Sequence, residues 1–471
     1  MLDSPAVQGT DLLPRAVALG LHFTRQSGEQ VPIPISAEPL VLDPADIRAS
    51  AGVAARLAAA ASKLWQWLRT RPERRVIDAE LTPSERRLVD AWAAATPDLA
   101  TVRVDGALDP AFRAIELNTT IPAMQGYSDI AAQALIETRG RALGLQQSAI
   151  EQLVRANGSN ARALFDSLQD RYTRYRGGPA DAIGLLARRG DAQRGELDYL
   201  AAAFRRFGVD ARVLHPDELR IDSAVHAQGR QWPLLYRHWF VHHLDQAPFP
   251  ALEDLLSRAA DARAIVLNSP SPQLEAKGLF ALLSAHAGNA AAPLSVDERD
   301  AIQRHVPWTR VFQPGSTTGV DGEPIVDLPR YVAAQPTRFV IKRSSGYGGR
   351  GVLVGGQADS ETFAARSKAL FGAALGWAEI CERAAHNGGF IVQARVALPL
   401  ATLPICRPQG TQPERLYLDY SAFASGPGFA AQDWNGVCRA AAEPVVNLGS
   451  GGALVPLLRR SIAVELGFST A

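Results

Sequence analysis

Two short segments hold residue types from which a metal- and phosphate-handling site can be built. In the first, Arg103-Val104-Asp105 is followed, after ten residues, by Glu116-Leu117-Asn118. Period-two spacing sends Arg103 and Asp105 to one face of a strand, and does the same for Glu116 and Asn118. A turn at 106–110 would fold the two strands into a hairpin. Two carboxylates and an amide carbonyl then converge. Such hard oxygens suit Mg²⁺, which takes few protein ligands and fills the rest with phosphate and water. Arg103 beside them is placed to hold a developing oxyanion. The plain alternative is a solvated hairpin face with an ordinary ion pair.

The second segment is 339–352. A β-strand delivers Lys342, and Ser344, Ser345, Gly346, Tyr347, Gly348, Gly349 and Gly351 follow before the next strand begins. Phosphates need close backbone approach and several N–H donors, which glycine permits, and a lysine at the strand end adds a point charge. The spacing is not that of a P-loop and no helix follows, so the NTPase and dinucleotide readings fail on context. A flexible hairpin turn is the alternative, although a two-residue turn has no need of four glycines. The sequence has four lysines, Lys63, Lys277, Lys342 and Lys368, against 45 arginines. A lysine retained in such a background marks a place where a planar guanidinium fits poorly. Lys277 follows Asn268-Ser269-Pro270 and Gln273-Leu274-Glu275 on a predicted helix, where a solvated surface charge is the usual reading.

A third cluster, Arg237 to His243, places His238 and His242 four residues apart. On a helix they would share a face and could bind zinc. Trp239 stands where a hydrolytic zinc motif needs glutamate, and no third ligand is evident, so packing and substrate contacts are expected instead. No G-x-S-x-G elbow occurs, and Cys381, Cys406 and Cys438 lie in no recognisable catalytic or metal setting.

These segments need elements to hold them. Residues 1–50 are Pro-rich and read as an irregular, surface-wrapping extension. The spacing predicts an amphipathic helix over 52–69, and Thr82-Pro83-Ser84-Glu85 opens another. Strands at 101–105 and 112–118 form the hairpin, and helices run on to about 174. Strand 183–186, helix 194–207, Gly208 and strand 209–214 make a βαβ unit, hence a parallel sheet, continued by 233–236 and 264–267. Further strands are expected at 338–343, 351–355, 389–396, 416–424 and 444–448. A chain of 471 residues exceeds what one core usually supports, so two or three domains are expected. A net charge of +1 gives no footprint for nucleic acid or an anionic membrane. No apolar run is long enough to cross a bilayer, no secretory signal opens the chain, and the sparse cysteines fit a reducing cytoplasm.

With these residues in hand, the sequence resembles the ATP-grasp superfamily. Arg-x-Asp followed by Glu-x-Asn, with Ile115-Glu116-Leu117-Asn118-Thr119, is similar to the metal strands of D-alanine–D-alanine ligases and glutathionylspermidine synthetase. Residues 337–342 and 273–277 resemble the matching strand and the first ATP lysine segment of eukaryotic glutathione synthetase. In an ordinary ATP-grasp chain the metal strands come last. Here they precede both lysines, as in the circularly permuted branch, which Asn447-Leu448-Gly449-Ser450-Gly451-Gly452 also resembles. The resemblance implies an α/β fold, a circularly permuted ATP-grasp with a small parallel α/β domain. Its parts would be 1–175 with the metal hairpin, 176–272 as the small parallel domain, and 273–471 as the ATP clamp.

The resemblance implies an ATP-dependent carbon–nitrogen ligase working through an acyl phosphate. Lys277, Lys342 and the loop Ser344–Gly351 would bind ATP, with Gln393 lining the adenine pocket. Asp105, Glu116 and Asn118 would hold Mg²⁺. Arg103 would stabilise the oxyanion, and Arg237 and Arg439 would grasp a substrate carboxylate. The substrates would be a small carboxylate and an amine (amino acid, peptide or polyamine), with no nucleic acid and no membrane, in a cytoplasmic protein that a homodimer would suit. The glutamate that glutathione synthetase carries in its glycine-rich loop has no counterpart between Lys342 and Gly356, so Asp105 would supply that ligand. A small-molecule or carboxylate kinase, a nucleotide-binding protein without ligase activity, and a zinc hydrolase at His238 and His242 are the rival readings.

Overall fold

The computed structural model describes residues 11–92, 95–108, 110–258, 261–346, 348–425 and 436–469. It is a mixed α/β structure built on three sheets that meet around one cleft. The central sheet has seven strands, in the order Leu400–Arg407, Ile35–Ser36, Ala453–Val455, Gly436–Ala441, Gly410–Ser425, Thr101–Leu108 and Phe112–Asn118. Leu400–Arg407 pairs a second time, with the long strand Gly410–Ser425, so five strands form a closed ring of pairings. Strands from the first and last quarters of the chain are thus neighbours, and Ile35 pairs with Leu454.

Residues 11–50 are therefore more than a surface wrap. Leu12, Leu21, Ile33 and Ile35 are buried, and the Pro34 carbonyl accepts from the Leu454 amide at 2.9 Å. Prolines keep the strand short without excluding it from the sheet, because a neighbour's amide meets the carbonyl that proline still offers. The long helix also starts earlier than periodicity indicated. It runs Pro44–Leu68, with Asp43 extended at its N-cap and proline at the first helical position. Ile47, Ala51, Ala54, Leu57, Ala61, Leu64 and Leu68 recur every three or four residues and are buried, all but Ala51 in the cluster that includes the central sheet. Helix Pro83–Ala91 has the capping box its sequence announced, with Thr82 and Glu85 bonding reciprocally.

The second sheet is parallel, in the order Asp210–Leu214, Ala182–Ala187, Leu234–His238, Ile265–Leu267. Helix Arg194–Arg206 makes the crossover expected of the βαβ unit. Because the first strand lies between the second and third, the order reverses between Ala182–Ala187 and Leu234–His238. Their carboxyl ends open a crevice there. The third sheet is antiparallel, in the order Thr309–Val311, Phe390–Ala394, Phe339–Arg343, Val352–Val354. Phe312, Phe339, Phe363 and Trp377 fill its core.

One expected strand is absent. Residues 444–448 form a loop, followed by a short 3₁₀ turn at Leu448–Ser450. The Asn447 side chain accepts from the Gly449 amide at 2.8 Å, and this local turn takes the backbone that a strand would need. Among the described residues no helix is long and apolar enough to cross a membrane.

Candidate functional site

The hairpin Thr101–Leu108/Phe112–Asn118 sits at one edge of the central sheet with Arg103 opposite Asn118 and Asp105 opposite Glu116. Its strands run on past Asp105 to Leu108, with a bulge between Asp105 and Gly106. Asp109 lies outside the described residues. The adjoining strand sets Ser421 opposite Asp105, and the next sets Arg439 opposite Asp419. Four strands therefore bring Arg439, Asp419, Ser421, Arg103, Asp105, Glu116 and Asn118 to one face. This face is the floor of a cleft of about 1040 Å³.

The floor is a closed charge network. Arg103 donates to both Asp105 oxygens, at 2.6 and 3.1 Å, and to the Ala123 carbonyl at 2.9 Å. Arg439 donates to Asp105 at 2.9 Å and to Asp419 at 2.8 Å, and Ser421 donates to Asp419 at 3.0 Å. Burial would raise the Asp105 carboxyl, but Arg103 and Arg439 outweigh it and hold it well below the usual carboxylate range. At Asp419 burial wins and, with Asp105 nearby, the carboxyl is pushed up. Sequence reasoning missed Asp419 and Ser421. The signal was there, since both interrupt an apolar strand at period two.

This arrangement refines the metal candidates. Both Asp105 oxygens already face guanidinium donors, so Asp105 acts as a counter-ion. Glu116 is the most open of the set, at 27% side-chain exposure, and stands 3.6 Å from Lys277. Among the described residues no three His, Cys, Asp or Glu side chains converge as a metal cage. A cation here would rest on Glu116 and Asn118, with Asp105 or Asp419 behind them and phosphate or water completing the shell, which is how Mg²⁺ is usually held.

The glycine-rich hairpin of the antiparallel sheet faces this floor. Lys342 donates to the Ile115 carbonyl at 2.9 Å, joining the two sequence segments directly. Burial, with Lys277 close by, lowers the Lys342 ammonium to about 8, although Glu116 opposes the shift. Lys277 donates to the Gly346 carbonyl at 3.0 Å. Asn447, from the loop that replaced the expected strand, donates to the Gly348 carbonyl at 2.8 Å. Gly349 has φ +72, and a Cβ there would lie 2.5 Å from the Val445 side chain, so any other residue would be strained. Ser345, Gly348 and Gly351 line the cleft. Ser344 is buried behind it, its amide on the Gly389 carbonyl, and Tyr347 lies outside the described residues. Gln393 lines the cleft beside Val340, Val354, Leu370 and Leu398, and donates to Thr309 at 3.1 Å.

Buried joints hold these parts in register. Glu80 accepts from the Gly278 amide at 2.9 Å and so caps the helix that carries Lys277. Burial raises the Glu80 carboxyl to about 7 against the pull of that amide and of Lys277. Glu275 accepts from the Thr119 and Thr120 amides, at 2.9 and 2.7 Å. Asn268 donates to the Thr101 and Thr119 carbonyls and accepts from the Ala100 amide, pinning the hairpin to the parallel sheet. Glu196 accepts from the Met124 and Gly126 amides, and Met124 has φ +92. Nothing in the sequence around Glu80 or Glu196 marks these roles, because their partners are distant backbone amides.

One sequence-based expectation is corrected at the parallel sheet, and one rival reading is set aside. Arg237 does not reach the cleft. It is fully buried and donates to the carbonyls of Asn268, Trp239 and Ser269, at 3.0, 2.7 and 3.2 Å, which fastens the strand ends together. His238 and His242 do not share a helix face. His238 ends strand Leu234–His238 and contacts Gln193 at 3.1 Å, whereas His242 lies in the 3₁₀ turn Val241–Asp245. Burial lowers His238, and the zinc geometry is not formed. Both histidines nevertheless line the cleft, as do Arg103, Arg439, Asp105, Glu116, Asn118 and Lys342.

No family model matches the chain, and no curated protein matches it. Among solved structures it is similar to a glutathione synthetase-like effector from Globodera pallida in its apo form. The two share a TM-score of 0.55 and 11% identity over 96% of each chain. At that identity the likeness speaks for the fold alone, which is glutathione synthetase-like. A protein from Methylobacillus flagellatus KT assigned as a gamma-glutamylcysteine synthetase aligns over 82% of this chain and 86% of its own. Its TM-score of 0.38 and 10% identity carry no argument.

Proposed function

We propose that this chain is an ATP-dependent carboxylate–amine ligase on a circularly permuted ATP-grasp arrangement, working through an acyl phosphate. The observation that carries the reading is the contact of Lys342 with Ile115 across 227 positions of sequence. It sets the glycine-rich hairpin and a second lysine directly over a floor of carboxylates and guanidiniums. Phosphoryl transfer asks a protein mainly for positioning and charge neutralisation, and these groups supply both. Lys277, Lys342 and the loop amides would hold the nucleotide phosphates, and Val340, Leu370, Leu398 and Gln393 would line the base. When bound at Glu116 and Asn118, Mg²⁺ would neutralise phosphate charge.

The chain's own residues account for the remaining tasks. A substrate carboxylate oxygen attacks the terminal phosphorus and ADP leaves. An amine nitrogen then attacks the acyl carbon, the bond to phosphate breaks, and a proton is released. Arg103 and Arg439 would face the acyl oxygen as it becomes anionic. Asp105 and Asp419 hold both guanidiniums in place so that no reorganisation is needed. The two steps can be told apart by incubating the protein with ATP, Mg²⁺ and pooled carboxylates, with and without pooled amines. A ligase gives ADP and amide in equal amounts and makes little of either when the amine is left out. Acyl phosphate released without need of an amine would make the protein a kinase, and absence of nucleotide binding would reject both.

A further inference from the structure

The cleft has three chemically distinct stretches. Val340, Val354, Leu370 and Leu398 form an aliphatic end under the antiparallel sheet, and the charged floor lies in the middle. The other end lies at the strand-order reversal of the parallel sheet. It adjoins Arg103, whose Ala123 carbonyl partner precedes Met124, and the Met124 sulfur takes a hydrogen bond from Gln193 at 3.5 Å. A second substrate meeting an acyl group at Arg103 would therefore lie at this end.

Its walls are rings. Phe240 and His242 stack with planes 17° apart and centroids 5.2 Å apart. His242 and His243 centroids are 4.6 Å apart, and Trp239 and His243 are 5.7 Å apart. Phe23 also lines the cleft and meets Tyr127 edge-on. The charges at this end are already matched. Arg188 faces Asp191 at 3.5 Å, and Glu85 accepts from the Thr82 amide at 2.9 Å. A linear polyamine would need a row of carboxylates, and a dicarboxylic peptide would need several cations. Neither set is present here among the described residues. Burial keeps His238 and His243 below the ordinary imidazole range, hence uncharged near pH 7. Uncharged imidazoles suit an amine that must be neutral to attack and must shed a proton as the amide forms.

We infer that the amine acceptor carries a planar aromatic group, which stacks among Phe240, His242, His243 and Trp239 at the carboxyl ends of the parallel strands. Flat rings prefer offset or edge-on contact with other flat rings, a preference that a saturated ring of the same size and charge does not share. The inference rests on the ligase reading for the role of the amine, but its test does not depend on turnover.

The test is calorimetric titration of the whole chain with 2-phenylethylamine, 2-cyclohexylethylamine and spermidine, each with and without ADP and Mg²⁺. The aromatic amine should bind at least about fivefold more tightly than its saturated twin, the gain expected of one ring contact. Phe240→Leu and His242→Leu, which keep apolar bulk, should each erase most of that preference while leaving ADP affinity unchanged. Equal affinity for the two ring amines, tighter binding of spermidine, or an unchanged preference in both variants would overturn the inference. Failure of ADP to bind would instead count against the ligase reading, and the ring-amine comparison would still be read.

Discussion

The floor of the cleft and its glycine-rich roof do complementary work by opposite means. Arg103, Asp105, Asp419 and Arg439 are buried or nearly so, and each charge is answered by another. The roof has glycines at positive φ, exposed backbone at 345–346 and 348, and tethers through Lys277 and Asn447. A preorganised floor avoids reorganisation cost when charge develops, whereas a compliant roof can close on a ligand. Substitutions in the floor should therefore act through electrostatics and stability together. Those in the roof should act through conformation and binding.

The largest effect is expected at Asp105. From sequence alone, Asp105→Asn should spare the fold and remove only a metal ligand. With two buried guanidiniums depending on it, the change should cost about 3–5 kcal/mol of stability as well as at least about 100-fold in turnover. Chemical denaturation and ADP release measure the two separately. Glu116→Gln is the contrast that sharpens the point. Glu116 is partly open and has Lys277 at 3.6 Å with Lys342 close by, so turnover should fall comparably with little change in melting temperature. If both variants melt like the parent protein, the floor is not the buried network described.

Next comes Lys342. Lys342→Arg keeps the charge but cannot fit beneath the loop, so turnover should drop at least about tenfold, roughly 1.4 kcal/mol of transition-state stabilisation. The lysine's ordinary value of 10.5 is lowered to about 8. Between those limits the unfolded chain holds a proton that the native one lacks, so stability rises with pH through that window. Bound phosphates should restore the proton. Nucleotide binding near pH 9 should take up protons, seen as a buffer-dependent heat, and Lys342→Arg should abolish that uptake.

In the roof, Gly349→Ala should cost about 1–2 kcal/mol through its left-handed φ and its clash with Val445. Most of this should appear as weaker nucleotide binding. The smallest effect is at Glu80. Its carboxyl lies near 7 in the native state against an ordinary 4.5, so the native chain holds the extra proton and stability falls as pH rises between those values. Glu80→Gln should flatten the melting temperature across that window. An unchanged slope would show that Glu80 stays ionised.

Much of this site was legible in the sequence because strands obey period two. Arg103, Asp105, Glu116 and Asn118 fell on one face as their spacing required, and the scarce lysines Lys277 and Lys342 both reached the cleft region. The failures have local causes. Arg237 read as a substrate clamp because its many backbone-carbonyl partners come from distant turns. The relative placement of His238 and His242 was not legible, because a strand end running into a 3₁₀ turn has no periodic signature. Asn447 lay on an expected strand that its own side chain redirects into a turn.

The pairing of Ile35 with Leu454 has a consequence for synthesis. A growing chain releases the hairpin residues long before the strands Gly410–Ser425 and Gly436–Ala441 exist to neutralise and cover them. Arg103 and Asp105 must wait, solvated, for Arg439 to emerge. The early strands therefore spend most of translation as unpaired edges, and loops spanning hundreds of residues must close before the floor forms. A premature stop shortly before Ala453 would leave the βαβ unit and the antiparallel sheet largely encoded yet strand the central ring open. Such a product should be captured by chaperones or aggregate rather than persist as a smaller folded protein.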